Sequence, residues 1–268
     1  RKYWTDKFKD EIPVSKLPYD YVQKDVGNYK AGNYTFHLGV EQVRLLSKKS
    51  RRSNTSMFVM LLAAMKTLLY RYTGQLNSAV GIPVSGREFG NLNHQIGFYV
   101  NVLPIVTNLD EEDNLSAIIN KVKNSVYAAL EHQVYPFDYI VKDLGLAGKA
   151  GVNPLFNIMI TYDDDVEKIN SLPDVQIESR QIGEQLTEFA LDIKFTKEDE
   201  NISCSFNYNA GLFKPETLTR IAKHFRKVVK SIIDDDKISL IDLEIESQSK
   251  RENKEKGSFS EDEILFNF

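Results

Sequence analysis

His37, His94, His132, His224 and Cys204 are the side chains of this sequence best suited to proton transfer, metal ligation or nucleophilic attack near neutral pH. Their spacing argues against all three. No two histidines are neighbours, and Cys204 has no histidine near it in sequence to take its proton. The cysteine therefore reads as a reduced, buried thiol. His37 falls on the polar face of an alternating segment and reads as a surface or hydrogen-bonded histidine. His224 lies beside an apolar helical stripe and reads as a packing residue. Asp163-Asp164-Asp165 gathers carboxylates, but no calcium-loop spacing follows. It reads as a solvated strand end, and no metal is expected.

A second kind of chemistry lies in the backbone. Gly81-Ile-Pro-Val-Ser-Gly-Arg-Glu-Phe-Gly90 places three glycines, a proline and an arginine between two apolar runs, 79–84 and 98–106. Glycine permits tight turns and close backbone approach, and a proline marks a strand end or edge. Gly81, Pro83, Ser85, Gly86 and Arg87, with Gly97, Tyr99 and Asn101 beyond them, form the candidate working surface. The alternative is a structural hairpin with a long turn. A dinucleotide-binding loop is excluded, because Arg87, Glu88 and Phe89 fill the turn and no helix follows.

The elements that must position these residues follow from periodicity. Residues 33–40 alternate, with Tyr34, Phe36, Leu38 and Val40 on one face, which predicts a half-buried strand. A short amphipathic helix over 43–49 ends in Lys48, Lys49, Arg51 and Arg52, a solvated helix end or a contact for an acidic partner. Ser53-Asn54-Thr55 offers caps for a largely buried helix over 56–72, and Gly74 offers its stop. Strands are expected over 79–84 and 98–106, then a helix from Leu115 to His132, broken by Pro136 and resumed over 137–144. Further strands are expected over 155–162, 175–178, 189–195, 202–208 and 238–245, with a hairpin turn at 196–201. Pro215 opens a long final helix. Ile12–Tyr19 carries two prolines and reads as an extended crossing segment. The irregular alternation of strands and helices predicts an α/β (α+β) layered sandwich, a mixed sheet covered by helices.

With 268 residues, 42% hydrophobic and 27% charged, the chain has an ample core. A net charge of −4 argues against a nucleic-acid partner, and no apolar run is long enough to span a bilayer. A single cysteine suits a cytoplasmic setting.

Five motifs, in order, resemble one family, the condensation domain of nonribosomal peptide synthetases, and specifically its C-terminal lobe. Gly81-Ile-Pro-Val-Ser-Gly-Arg87 is similar to G-T-P-V-x-G-R, and Ile96-Gly-Phe-Tyr-Val-Asn-Val-Leu-Pro104 to I-G-x-F-V-N-T-L. His132-Gln-Val-Tyr-Pro-Phe137 resembles H-Q-x-Y-P-F, Asn153-Pro-Leu-Phe-Asn-Ile-Met-Ile160 resembles N-P-L-F-x-V-M-F, and Phe189-Ala-Leu-Asp-Ile193 resembles a later strand. The family's catalytic H-H-x-x-x-D-G is absent from this sequence.

The resemblance implies one chloramphenicol acetyltransferase-like lobe over 33–245. Residues 1–32 would be a helix end and linker from an N-terminal lobe, and 246–268 a linker or tail. It implies amide-bond formation between aminoacyl and peptidyl groups, in company with that other lobe. The substrates would ride on the phosphopantetheine of donor and acceptor carrier proteins, with no cofactor bound directly and an adenylation domain adjacent. The chain alone is expected to be inactive, since no catalytic residue is assigned in it. Residues 81–90 would form a loop beneath the tunnel, Arg87 would anchor that floor or pair across the lobe junction, and Asn101 would line the tunnel or serve structure. His132, Gln133, Tyr135 and Pro136, with Asn153 and Pro154, are expected to be structural. Self-association through an uncovered lobe interface is also expected. A free-standing carrier-docking module without catalysis, or an epimerisation or heterocyclisation relative, is the alternative.

Overall fold

The structure, a computed structural model, describes residues 1–22, 30–87, 90, 92–146, 153–164 and 186–245. Among the described residues, six strands form one mixed sheet: β1 (Ala31–Leu38), β2 (Asn77–Val84), β3 (Asn101–Asn108), β4 (Ile158–Asp163), β5 (Leu191–Glu198) and β6 (Asn201–Asn209). Their order across the sheet is β1-β6-β5-β4-β2-β3. β4 runs parallel to both β2 and β5, and the remaining pairs are antiparallel. The helices are α1 (Lys2–Lys7), α2 (Val40–Arg52), α3 (Met57–Thr73), α4 (Leu115–Leu130), α5 (Phe137–Asp143) and α6 (Pro215–Asp234). The α/β layered architecture expected from the sequence is the one observed.

At the centre lies α3, buried from Val59 to Leu69 and packed against α4 and α6. Its ends are built as its sequence asks. The Ser56 hydroxyl accepts from the Val59 N–H, and Gly74 closes the helix at φ 69°. The cap is thus Ser56 rather than residues 53–55, where Asn54 instead takes a left-handed φ of 47°. One charged side chain lies in this apolar layer. Lys66 is buried, and its ammonium donates to the Ser78 carbonyl (2.6 Å) and the Ile105 carbonyl (2.9 Å), strapping α3 to β2 and β3. Burial, with Lys7 nearby, pushes its pKa well below the usual lysine value.

Several boundaries differ from the sequence expectation. The alternating segment ends at Leu38, and Val40 already begins α2, whose start is set by the Gln42 side chain accepting from the Gly39 N–H. β4 starts at Ile158 rather than 155, because residues 153–156 form a side-chain-capped turn. The strand expected over 238–245 is a run of turns. Ser239 Oγ accepts from the Asp242 N–H, and Leu243 donates to the Ser239 carbonyl, so Leu240 and Leu243 bury at helical rather than strand spacing. Residues 147–152, the strand expected over 175–178 and the expected linker or tail from 246 lie outside the described residues.

The expected crossing segment does cross. Its only ladder contact in the described residues is a parallel bridge from Val14 to Ala79 of β2, and Leu17 is buried beneath it. No helix among the described residues is long and apolar enough to cross a membrane.

Candidate functional site

The glycine-rich stretch leaves the sheet at the end of β2. Gly86 turns the chain at φ +64°, and a Cβ there would lie 1.9 Å from the Tyr99 carbonyl oxygen, so no other residue fits. Past that turn, Arg87 captures the backbone of the chain returning toward β3. Its guanidinium donates to the carbonyls of Leu92, Gln95 (2.9 Å) and Gly97 (3.4 Å), and lies 4.4 Å from the centre of the Tyr99 ring. The Tyr99 hydroxyl donates to the Gln95 side chain (3.0 Å), and the Ser85 hydroxyl accepts from the Arg87 N–H (3.5 Å). A planar fork with several donors is suited to holding three carbonyls at once.

This capture corrects the expected strand over 98–106. β3 begins only at Asn101, because residues 95–97 are bound to Arg87 instead of pairing with β2. The consequence is an apolar ridge: Ile96 is 106% exposed and Phe98 92%, with Val100 half exposed.

The remaining motifs converge on each other. The Asn101 amide donates to the carbonyls of Gln133 (2.7 Å) and Tyr135 (3.0 Å), and its oxygen accepts from the Phe137 N–H (3.0 Å). One side chain thereby shapes the whole turn between α4 and α5, with Pro136 as the residue before α5. His132 belongs to the same turn. Its Nδ1 lies 2.9 Å from the Ala128 carbonyl, its ring stacks on Tyr3 at 4.1 Å, and its carbonyl accepts from the Trp4 indole (3.1 Å). Tyr135 donates to Asp143, whose carboxyl is also paired with Arg1 (2.9 Å) and is held below the usual carboxylate range. Asn153 Oδ1 accepts from the N–H groups of Leu155 and Phe156, with Pro154 inside that turn. Phe156 is buried against Phe137 and Phe189, and a Cβ on Gly81 would strike its ring at 2.3 Å. The motifs around Gly81, Asn101, Phe137, Phe156 and Phe189 thus meet in one packed hub.

Between the hub and the ridge lies a groove of about 680 Å³. Its walls are residues 82–85 at the end of β2, residues 160–163 of β4, Ser56 and Phe58 at the start of α3, and Val126, Tyr127 and Leu130 of α4, with Val100 at the rim. Pro83 and Ser85 were expected at a site. Phe58, Tyr127 and Tyr162 were not, because elements far apart in sequence bring them together. The signal available was Tyr127, an aromatic residue beside the apolar stripe of α4 that stays 43% exposed. The groove is electrically quiet. Asp163 is paired with Lys194 (2.7 Å), and burial together with Asp164 pushes the Tyr162 phenol up to about 12, so it stays neutral.

The histidines lie on separate elements. His37 pairs with Glu198 at 3.5 Å, His94 is exposed in a short 3₁₀ turn, and His224 is buried with Nδ1 at 2.8 Å from the Tyr72 hydroxyl. Cys204 is buried, and burial pushes its thiol up to about 12, which makes it inert as a nucleophile. Asp164 pairs with Lys197 (2.9 Å), and Asp165 lies outside the described residues. No group of three or more metal-ligating side chains occurs among the described residues.

The family model described as Condensation domain matches residues 1–254. The chain belongs to the condensation-domain family. It is 29% identical over 251 residues to gramicidin S synthase 2 of Brevibacillus brevis, covering 94% of this chain and 6% of that protein. The fold matches the X-domain from teicoplanin biosynthesis with a TM-score of 0.84 at 21% identity, over 91% of this chain and 56% of that one. It matches the condensation domain from Monacolin K polyketide synthase MokA with a TM-score of 0.74 at 16% identity, over 85% and 54%. This condensation-family chain therefore spans about half the length of those solved domains and a small fraction of the curated synthases.

Proposed function

We propose that the chain supplies the C-terminal lobe of a condensation domain in nonribosomal peptide synthesis. With an N-terminal lobe carrying H-H-x-x-x-D-G, it would join carrier-bound aminoacyl and peptidyl groups. The amine of the acceptor attacks the thioester carbonyl of the donor, the C–N bond forms, the C–S bond breaks, and the released pantetheine thiol takes the proton. The substrates arrive on phosphopantetheine arms of donor and acceptor carrier proteins, from modules that include an adenylation domain.

The chain's own contribution is positional. Holding two tethered reactants in line and dry supplies much of the rate in such a reaction. Arg87 fixes the loop over 92–97, Asn101 fixes the turn over 133–137, and the apolar groove offers a surface that the other lobe would close against water. The proton acceptor for the amine lies on the other lobe in this reading.

One observation carries it. Ile96 and Phe98 stand in solvent on a loop that Arg87 holds in place, and an apolar ridge held fixed and uncovered fits a surface made for a partner. The match to about half of each solved relative supports the same reading. The test is a condensation assay with both carrier-bound substrates. The chain alone is expected to give no amide product, and adding a condensation N-lobe is expected to restore it. Turnover by the chain alone, or none with the lobe, overturns the reading.

A further inference from the structure

The groove beside the loop has a composition that selects among substrates. Its volume of about 680 Å³ lies within the range of small-molecule sites, which are mostly apolar with a few polar groups. Its walls are rigid: a capped helix start, two adjoining strands of the sheet and one face of α4. Phe58 and Tyr162 form a tilted aromatic pair 6.4 Å apart, Val84 and Leu130 add aliphatic surface, and the core residues Val126 and Ile160 lie behind it. Among the described residues, the one charged lining group, Asp163, is already paired with Lys194. Ile96 and Phe98 are not among its walls, so covering the ridge and filling the groove are separate tasks.

From this the geometry points to a specificity pocket: the groove binds the uncharged, apolar end of a carrier-bound aminoacyl thioester, with Phe58, Tyr127, Leu130 and Tyr162 as its selecting residues. The inference rests on the condensation reading and adds the substrate class. A carboxylate or ammonium side chain placed there finds no free countercharge and loses its water, which is strongly unfavourable. An apolar side chain of the same size gains by leaving water.

The test uses the full 268-residue chain and two small probes, the N-acetylcysteamine thioesters of phenylalanine and of aspartate. Methyl NMR shifts at Ile82, Val126, Leu130 and Ile160 report occupancy. The phenylalanyl probe is expected to shift these methyls saturably, and the aspartyl probe to bind at least about tenfold more weakly. Leu130→Trp, at a half-buried wall position, fills the groove and is expected to abolish the shifts at the remaining methyls. Phe58→Ala, which enlarges the groove, is expected to weaken the phenylalanyl probe while core methyls such as Leu61 keep their positions. Equal binding of both probes, no shift at all, or shifts that survive Leu130→Trp would overturn the pocket. So would phenylalanyl binding that appears only after deletion of 246–268, which would mean that the chain's own tail fills the groove. Binding without condensation in the lobe-supplemented assay would sink the functional reading and leave the pocket standing. Condensation without binding at the groove would sink the pocket alone.

Discussion

Asn101 and Arg87 do the same local job in two regions that differ in every other respect. Each is a polar side chain that gathers backbone groups from a turn, Arg87 from one that follows it closely and Asn101 from one at 133–137. Asn101 shapes a turn that feeds Phe137 and buried Ile140 into the hub. Arg87 shapes a loop that holds Ile96 and Phe98 out of any core. Lys66 is a third strap of this kind, placed fully inside. The comparison separates stability from function. Where captured backbone leads inward the strap stabilises the fold, and where it leads outward the strap preserves a shape whose use lies elsewhere.

That contrast is breakable by mutation. Asn101→Ala strands the Phe137 N–H and two carbonyls in a half-buried turn and is expected to cost about 3 kcal/mol, read as a lower urea midpoint. Arg87→Ala should cost no more than about 1 kcal/mol globally, because its partners are solvent-accessible. Its effect should instead be local: faster amide hydrogen exchange over 92–100. Arg87→Lys should not rescue that protection, since a point charge cannot hold three carbonyls in a fork. An Arg87→Ala midpoint as low as that of Asn101→Ala would erase the distinction.

Lys66 sharpens the inward half of the comparison through pH. Its native pKa is depressed by burial, so the unfolded chain binds more protons over the window between that value and the usual lysine pKa of about 10.4. Stability from this group is therefore present above the upper limit and is lost as pH falls through the window. Lys66→Met should flatten the rise in unfolding free energy that the native chain is expected to show as pH climbs toward the usual lysine pKa. Parallel curves for the two proteins would show that the buried ammonium does not titrate on unfolding.

The smallest effect on stability is expected at the ridge. Ile96→Ser with Phe98→Ser should change the unfolding free energy, read from urea denaturation, by less than about 0.5 kcal/mol, since neither side chain packs on the core. It should lower self-association measured by light scattering at high concentration. Unchanged scattering from a native chain that does associate would place the sticky surface elsewhere.

How much of this was legible in the sequence depended on how local the cause was. Gly74 as a helix stop and Pro215 at the start of α6 were readable because a cap is decided within a few residues. The late hairpin was readable from alternation, which β5 and β6 keep in their burial. Phe98 was misread as strand because nothing local shows that Arg87, eleven positions earlier, will claim the carbonyls beside it. The segment over 238–245 was misread because apolar residues close together suit a strand as well as a turn, and Ser239 decided for the turn. Asn101 announced itself by interrupting an apolar run, but its partners at 133–137 did not. The groove was invisible, since Phe58, Tyr127 and Tyr162 meet only once the sheet order is known.

The claim that this chain is one half of a condensation site is tested most directly by counting amide product. Carrier-bound donor and acceptor would be incubated with the chain alone, with an H-H-x-x-x-D-G lobe alone, and with both. The account predicts product only with both, and much less when the chain carries Ile96→Ser and Phe98→Ser. Product from the chain by itself, or no product from the pair, would contradict it.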